Sequence, residues 1–149
     1  MASDIAVHIR EASSADSDPI TALLSELGYE VPAPLVADRL RRFAESNDRR
    51  VLVAEAEAEG PVVGLLSLTW QEWLSHERLV ARVTELVVAS TARGRGVGKK
   101  LIDEAAAIAK QRRCELIEVT TALARDEAHS FYEAAGFECT SYRYARVLA

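Results

Sequence analysis

The stretch TARGRGVGKKLIDEAAAIAK, residues 91–110, places three glycines and several cations directly before a segment with helical periodicity. Glycine lets the backbone adopt positive φ and approach a ligand closely, and arginine or lysine favours an anionic ligand. The N-terminus of a helix adds unpaired N–H groups and about half a positive charge. The combination predicts a phosphate-binding site at the start of this helix.

Two common phosphate-binding patterns do not fit this loop. A Walker-type loop requires a glycine five residues before its Gly-Lys pair and a hydroxyl residue after it, but Arg93 and Lys100 hold those positions. A dinucleotide fingerprint requires G-x-G-x-x-G, whereas the glycines at 94, 96 and 98 are spaced G-x-G-x-G. The pattern present is R-x-x-G-x-G over residues 93–98.

Apolar periodicity along the chain predicts alternating strands and helices in one mixed α/β sheet. The strand–helix–strand order after residue 79 predicts a crossover with parallel neighbours, and the earlier strands are expected to pair as hairpins. Helices are predicted over residues 16–29, 34–46, 97–110 and 124–136. Strands are predicted over residues 6–10, 49–60, 60–70, 79–90 and 114–121, with one or two more in 137–148.

Composition limits the class of protein. The 149 residues are 49% apolar and 28% charged with a net charge of −5, which predicts one globular domain over residues 1–149 and disfavours nucleic acid or anionic membranes as partners. No apolar run reaches the length of a membrane span, and no secretory signal is evident. Cys114 and Cys139 form no disulfide framework, which favours a reduced cytoplasmic setting. The three histidines lack metal-ligand spacing, so no metal is expected.

The R-x-x-G-x-G loop between a strand and a helix resembles the pyrophosphate loop of the GNAT superfamily of acyl-coenzyme A-dependent N-acyltransferases. The resemblance covers ELVVASTARGRGVGKKL, residues 85–101, and extends to AHSFYEAAGF, residues 128–137, which is similar to the fourth helix of that family and the strand after it. It implies an α/β fold with a central mixed, mostly antiparallel sheet of six to seven strands flanked by about four helices.

The resemblance also implies where acetyl-CoA binds. The pantetheine arm is expected along the backbone of Leu86, Val87 and Val88, whose side chains serve the core in either case. The pyrophosphate is expected at the loop, where glycines remove steric obstruction, although an ordinary loop before a helix remains the alternative. Lys100 is expected to be a solvated surface charge. The implied loop contacts are Arg93, Gly94, Arg95, Gly96, Val97, Gly98 and Lys99.

Two residues are candidates for proton transfer. By the resemblance, Tyr132 protonates the departing thiolate, and the alternative is a core aromatic packed through its ring. Glu85 interrupts an apolar strand and is the candidate base, or a group that positions water; the alternative is a paired structural carboxylate. Strand alternation predicts that Glu85 shares a face with Val83 and Val87. Some relatives place their base four residues earlier, where this chain has Ala81.

Other positions leave alternatives open. Many relatives carry Asn seven residues before the helix tyrosine, where this chain has Arg125, and its role is a cofactor contact, a helix-start charge or a surface charge. Trp70 and Trp73 are expected to line an acceptor pocket, and the alternative for Trp73 is ordinary hairpin packing.

The implied activity is transfer of an acetyl group from acetyl-CoA to a primary amine of a small molecule or peptide by direct attack, without a covalent acyl-enzyme. The alternative is a non-catalytic acyl-CoA-binding module with a regulatory or interaction role. The resemblance implies a homodimer. The acceptor itself is not readable from the sequence, and the net charge of −5 favours cationic amines.

Overall fold

Five strands form one mixed sheet in the computed structural model, which describes residues 4–121 and 126–148. The strands are β1 (His8–Glu11), β2 (Arg49–Glu55), β3 (Val62–Gln71), β4 (Val80–Val88) and β5 (Leu116–Val119). They lie side by side in chain order, the first four antiparallel and β5 parallel to β4. The predicted mixed sheet with a single late crossover is therefore confirmed.

Four α-helices in the described residues cover the sheet, as predicted. They are α1 (Ser17–Glu26), α2 (Ala33–Ala44), α3 (Val97–Gln111) and α4 (Asp126–Ala134). On one face, α1 packs on β3 and β4 and α2 packs on β2. On the other face, α3 provides the crossover and packs on β2, β3 and β4. The sheet thus separates two apolar cores, an α1/α2 face and an α3 face.

Two glycines end helices where the sequence predicts it. Gly28 (φ 102°) follows α1 and Gly136 (φ 91°) follows α4, both in the left-handed region that glycine adopts without strain. Tyr29 N–H then donates to the Leu24 carbonyl at 2.9 Å, and Phe137 N–H donates to the Tyr132 carbonyl at 3.0 Å. These bonds satisfy carbonyls that a helix C-terminus leaves unpaired.

The strand count is lower than predicted. The expected sheet of six to seven strands is wrong, because the described residues 138–148 form no strand. Tyr142 and Tyr144 are 79% and 91% exposed, so the β-forming residues of this segment cover no core. Strand preference expresses the fit of a side chain to a pleated, half-buried surface, and this segment has no such surface against it.

A β-bulge in β4 changes which face its residues occupy. Ser67 pairs with Glu85 and Leu68 pairs with Val83, so Thr84 is an extra residue that β3 does not match. Val83 consequently lies in the α3-face core, whereas Val87 lies in the α1/α2-face core. Glu85 alternates with Leu86 and shares the face of Val87. The predicted common face of Glu85 and Val83 is therefore wrong, and Ala81 also lies on the α3 face.

A buried ion cluster fixes the start of α1 to the sheet edge. Arg10 on β1 makes two 2.8 Å hydrogen bonds to the Asp16 carboxylate and a third bond to Glu55 on β2. Both carboxylates are buried, at 6% and 5% exposure. The Arg10 hydrogen bonds hold the pKa of Asp16 below its ordinary value, and the N–H of Ser13 contributes in the same direction.

We predict that Asp16→Asn destabilises the fold by about 2 kcal/mol at pH 7, because the buried carboxylate that accepts two hydrogen bonds from the half-buried Arg10 guanidinium becomes a neutral amide. The folded-state pKa of Asp16 lies below the unfolded value, so its contribution is present above the unfolded pKa and is lost as pH falls through the folded pKa. The variant should therefore lose less stability than wild type on acidification. Urea unfolding between pH 7 and pH 3 measures both effects.

Asp18→Asn is the matched control, because Asp18 lies in the first turn of the same helix but is exposed. Its unfolding free energy should change by no more than about 0.5 kcal/mol. Equal effects of the two substitutions would mean that the Arg10 cluster does not hold the helix start.

Candidate active site

The loop between β4 and α3 has the backbone geometry of an anion-binding helix start. Gly94 (φ 73°) and Gly96 (φ 83°) lie in the left-handed region, and Gly96 is the residue that caps α3. Lys100 N–H donates to the Gly96 carbonyl at 3.2 Å, so the N–H groups of residues 97–99 precede the first helical bond. These groups and the helix dipole offer a positive site at the end of β4.

The three glycines of the loop do not all face a ligand. A Cβ at Gly94 would meet nothing within 4 Å, which leaves that side of the loop open. A Cβ at Gly96 would lie 2.8–3.0 Å from the carboxyl atoms of Asp4, and one at Gly98 would lie 3.2 Å from the Phe131 ring. At Gly96 and Gly98, therefore, neighbouring side chains occupy the space that a Cβ would take, whereas at Gly94 that space is open.

Several cations of the loop are engaged in holding it. Arg93 Nε donates to the Val88 carbonyl at 3.0 Å, and its Nη2 lies 4.0 Å from the Glu26 carboxylate at the end of α1. Lys100 Nζ donates to the Ile5 carbonyl at 2.8 Å, so the prediction of a solvated Lys100 is wrong. Lys99 pairs with Asp103 one turn along the exposed side of α3, at 2.7 Å.

β4 continues past its pairing with β5, so the β5-side edge of its carboxyl half has no partner strand among the described residues. We call the space beside this unpaired edge the slot. The parallel ladder runs from Val80 and Leu116 to Val83 and Val119, whereas β4 extends to Val88. The bulge residue Thr84 comes directly after the last pair, and bulges increase the local twist of a strand. The slot between the carboxyl ends of β4 and β5 therefore begins at the bulge and leads to the start of α3.

Alternate residues of β4 direct their backbone N–H and C=O groups toward this slot. Ala89 N–H donates to the Val63 carbonyl at 2.8 Å, so Ala89 and Val87 direct their backbone groups toward β3. Leu86 and Val88 direct theirs toward the slot, where Arg93 binds the Val88 carbonyl. The N–H groups of Leu86 and Val88 thus line the slot. Val87, which the sequence analysis grouped with them, contributes its side chain to the α1/α2-face core.

Glu85 lies half-buried on the α1/α2 face of β4, next to the open end of the slot. Its carboxylate accepts a short hydrogen bond from the Thr84 hydroxyl, and Ser67 is its neighbour across β3. Glu85 therefore has one hydroxyl hydrogen bond and a serine opposite it on β3, which is more polar than the apolar setting expected from the sequence.

Tyr132 lies on α4 at the edge of the α3-face core. Its ring makes edge contacts with Phe131 at 5.3 Å and Phe137 at 5.7 Å between centroids. Phe131 packs against Gly98, so α4 approaches the start of α3 closely. The ring packing expected for a core aromatic is present, and the same packing fixes the tyrosine beside the helix start. Arg125 lies outside the described residues.

A buried hydroxyl at the end of β5 has no hydrogen-bond partner among the described residues. Thr121 Oγ1 is that atom, two residues beyond the last pair of the β4–β5 ladder. Burying a hydroxyl without a partner costs free energy, and such a group is commonly satisfied by a ligand or a water molecule. It stands at the carboxyl end of the strand that borders the slot.

The tryptophans do not form a common pocket. Trp70 is 4% exposed in the α3-face core, where Arg112 stacks 4.9 Å from its ring, so it lies on the opposite face from Glu85. The prediction that Trp70 lines an acceptor pocket is wrong for this reason. Trp73 follows β3, is 38% exposed and makes an edge contact with His76.

Sequence reasoning missed a row of polar residues on the α1/α2 face of the sheet. Arg82 on β4 pairs across the sheet with Thr69 and Glu118, and Thr69 pairs with Arg49. Strand alternation in the sequence could not find this grouping, because it depends on the bulge, which moves Glu85 onto the face that Arg82 occupies. Without it, the strand pattern assigns these two residues to opposite faces.

Other chemistries have little support in the described part of the chain. Residues 4–121 and 126–148 contain no group of three or more metal-ligating side chains and no helix long and apolar enough to cross a membrane. Burial raises the pKa of the Cys114 thiol, which keeps it protonated and a poor nucleophile near neutral pH. A cleft of about 730 Å³ is lined by the Arg10 cluster at the β1 edge, whereas the slot lies at the opposite edge of the sheet, beside β5.

Comparison with known proteins identifies the chain's relatives. Residues 18–137 match the family described as "Acetyltransferase (GNAT) family". The chain is 33% identical over 140 residues to aminoalkylphosphonate N-acetyltransferase of Salmonella typhimurium LT2, covering 94% of this chain and 90% of that protein.

Two solved structures illustrate the similarity of fold. A transcriptional regulator from Bacillus halodurans C-125 has a TM-score of 0.87 and 26% identity, covering 96% of this chain and all of that one. Glucosamine-6-phosphate N-acetyltransferase from Arabidopsis thaliana has a TM-score of 0.82 at 21% identity, covering 97% and 99% of the two chains, which shows a shared fold.

Proposed function

The chain belongs to the GNAT family and is an acetyl-CoA-dependent N-acetyltransferase of small amines, and we propose that its acceptor is a short primary amine that also carries an acidic group. The relative that is 33% identical over nearly the whole chain acts, by its name, on aminoalkylphosphonates, which are amines of this kind. The acidic group rests on the name of that relative, whereas the binding of acetyl-CoA rests on the unpaired edge of β4 between Glu85 and the start of α3, where we propose that phosphate binds.

The start of α3 is proposed to hold the pyrophosphate of acetyl-CoA. The N–H groups of residues 97–99 point out of the helix start, and the loop before them is fixed by the Arg93 and Lys100 hydrogen bonds. A fixed set of donors loses little entropy when an anion binds. Arg95 and the open side of Gly94 border the same loop, and Arg125 is proposed as a further phosphate contact.

The slot is proposed to hold the pantetheine arm. Leu86 and Val88 present N–H groups toward it, so an extended amide chain is able to continue the sheet where β5 diverges from β4. One of these N–H groups stabilises the carbonyl oxygen of the thioester as it gains negative charge. The Thr121 hydroxyl at the end of β5, which has no hydrogen-bond partner among the described residues, fits a site that a ligand completes.

The chemistry requires no covalent enzyme intermediate, and the amine nitrogen loses two protons in total. Glu85, directly or through water, takes the first proton from the protonated amine and passes it to solvent, and the neutral nitrogen then attacks the thioester carbonyl to form the C–N bond. As the tetrahedral intermediate collapses, the C–S bond breaks and Tyr132 gives its proton to the departing thiolate. The second proton, released from the nitrogen through water, restores the tyrosine hydroxyl. Direct attack agrees with the raised pKa of Cys114, which disfavours an acyl-cysteine.

Several finer assignments remain part of this proposal. A single domain over residues 1–149, a cytoplasmic location, a homodimer and a metal-free reaction are predictions, as is acetylation of a peptide amine in place of a small molecule. The non-catalytic alternative is not retained, because the family and the curated relative are both acetyltransferases.

Lys99→Pro tests the phosphate site, because it deletes one N–H at a position of the first helical turn where proline is tolerated. We expect the Kd for acetyl-CoA to rise about tenfold, or about 1.4 kcal/mol, while the Kd for acetyl-pantetheine stays the same. Isothermal titration calorimetry measures both. Lys99→Ala removes only the exposed ammonium and should weaken acetyl-CoA binding less. An unchanged Kd in a folded Lys99→Pro protein would reject this site.

Tyr132→Phe tests the proposed acid. The ring contacts with Phe131 and Phe137 are kept and only the hydroxyl is lost, so kcat should fall about a hundredfold while the KM for acetyl-CoA changes little. Tyr144→Phe removes an exposed hydroxyl and should leave turnover unchanged. Near-normal turnover in Tyr132→Phe would reject Tyr132 as the acid and leave it only a role in packing.

Glu85→Gln tests the proposed base. The amide keeps the shape of the carboxylate but accepts no proton, so kcat/KM should fall near neutral pH and recover at high pH, where more of the amine is already deprotonated. The pH–rate profile measures this, with exposed Glu77→Gln as the control. A lower melting temperature with an unchanged profile would assign Glu85 a structural role.

A further inference from the structure

The α1/α2 face of the sheet is divided into an apolar part and a polar part. The row formed by Val53, Leu65 and Val87 belongs to the core beneath the two helices. Beyond it, the next rows bring together polar side chains from four strands: Ser67 and Glu85, then Arg49, Thr69, Arg82 and Glu118. We name these six residues the polar platform. It begins at the proposed base and continues away from the apolar core.

The polar platform exists because of the β-bulge. Ser67 pairs with Glu85 and Thr69 pairs with Arg82, so these two β4 residues are separated by two positions of β3. At about 3.3 Å per residue, their Cα atoms lie about 7 Å apart on one face of the sheet. A carboxylate and a guanidinium at this separation match a ligand that carries a cation and an anion a few bonds apart.

The guanidinium of Arg82 has donors to spare for such a ligand. Its Nη1 lies 3.4 Å from the Glu118 carboxylate, a long contact, and both side chains are about one-third exposed at 36% and 32%. A guanidinium carries five N–H donors in a planar fork that fits carboxylate and phosphonate oxygens two at a time. Arg49, the other cation of the platform, is stacked on Phe43 at 4.4 Å and paired with Asp48 at 3.2 Å.

We propose that Arg82 binds the acidic group of the acceptor and thereby holds the acceptor's amine at Glu85. Glu118 then orients the guanidinium before the acceptor arrives, and Ser67 and Thr69 supply hydroxyls along the floor between the two charges. Arg82 is thus a residue that determines specificity, and it discriminates acidic amines from neutral alkylamines. This inference rests on the proposed function, since it assigns the acidic group of the same acceptor.

The test compares two amines in a thiol-release assay with acetyl-CoA and the full chain: 2-aminoethylphosphonate, which carries the acid, and propylamine, which lacks it. In Arg82→Gln, kcat/KM for 2-aminoethylphosphonate should fall about tenfold to a hundredfold through KM, as expected for loss of a charged hydrogen bond. The value for propylamine should change less than twofold. Arg82→Lys should give an intermediate loss, because a lysine keeps the charge without the fork.

The control is Arg50→Gln. Arg50 lies on β2 opposite Leu68, on the α3 face, and its guanidinium stacks over Trp70 at 5.7 Å, so it belongs to the opposite face of the sheet. Both amines should be affected equally in this variant. Equal losses for the two amines in Arg82→Gln, or no loss for either, would overturn the assignment. If none of the amines tested supports thiol release from acetyl-CoA by the wild-type chain, the proposed function is overturned, and this inference with it.

Discussion

The single extra residue in β4, Thr84, determines the geometry of both halves of the site. The ladder with β5 ends at Val83, one residue before it, and the side chains of β4 exchange faces directly after it. The first effect opens the slot in which Leu86 and Val88 present backbone donors. The second places Glu85 on the face where we propose that the acceptor binds. One local irregularity thus underlies both the proposed groove for the acetyl donor and the proposed acceptor surface on the same strand.

In the loop before α3, where we propose that phosphate binds, the charged side chains and the backbone have different roles. Two of its cations contact other parts of the protein: Arg93 binds the end of β4 and contacts Glu26 on α1, while Lys100 binds the carbonyl of Ile5 in the N-terminal segment. The donors left for a ligand are mainly the N–H groups at the start of α3. A loop braced from several sides keeps these donors in position before a ligand arrives, which reduces the entropy lost on binding. The glycine at 98 belongs to this bracing, because it lets Phe131 bring α4 close.

Periodicity predicted the parts of the fold that repeat, and it failed where the structure departs from repetition. The helices, the strand order and the parallel crossover follow from local patterns of apolar residues and from glycine at helix ends, and all were predicted. The bulge was not predicted, because an alternation with a period of two residues does not reveal an inserted residue. The predicted common face of Glu85 and Val83 was wrong for this reason. Trp70 was misplaced for a related reason: the sequence shows that it shares a face with Leu68, but not which face meets the acceptor. The prediction of strands in residues 137–148 was wrong because residues with strand preference form a strand only where they have a surface to cover.

The net charge of the whole chain also says less about the acceptor than the local arrangement of charged residues does. A net charge of −5 favours a cationic acceptor, and Glu85 and Glu118 agree with that expectation. However, Arg82 pairs with Glu118 and is the next residue after Glu85 on the same face of β4, so the platform places two carboxylates close to Arg82, in addition to the cation of Arg49. Charges this close are screened little by salt, whereas the net charge acts over distances comparable to the Debye length. The overall negative field does not favour an amine that carries an acidic group. We therefore propose that the platform, and not the net charge, distinguishes such an amine from an amine without an acidic group.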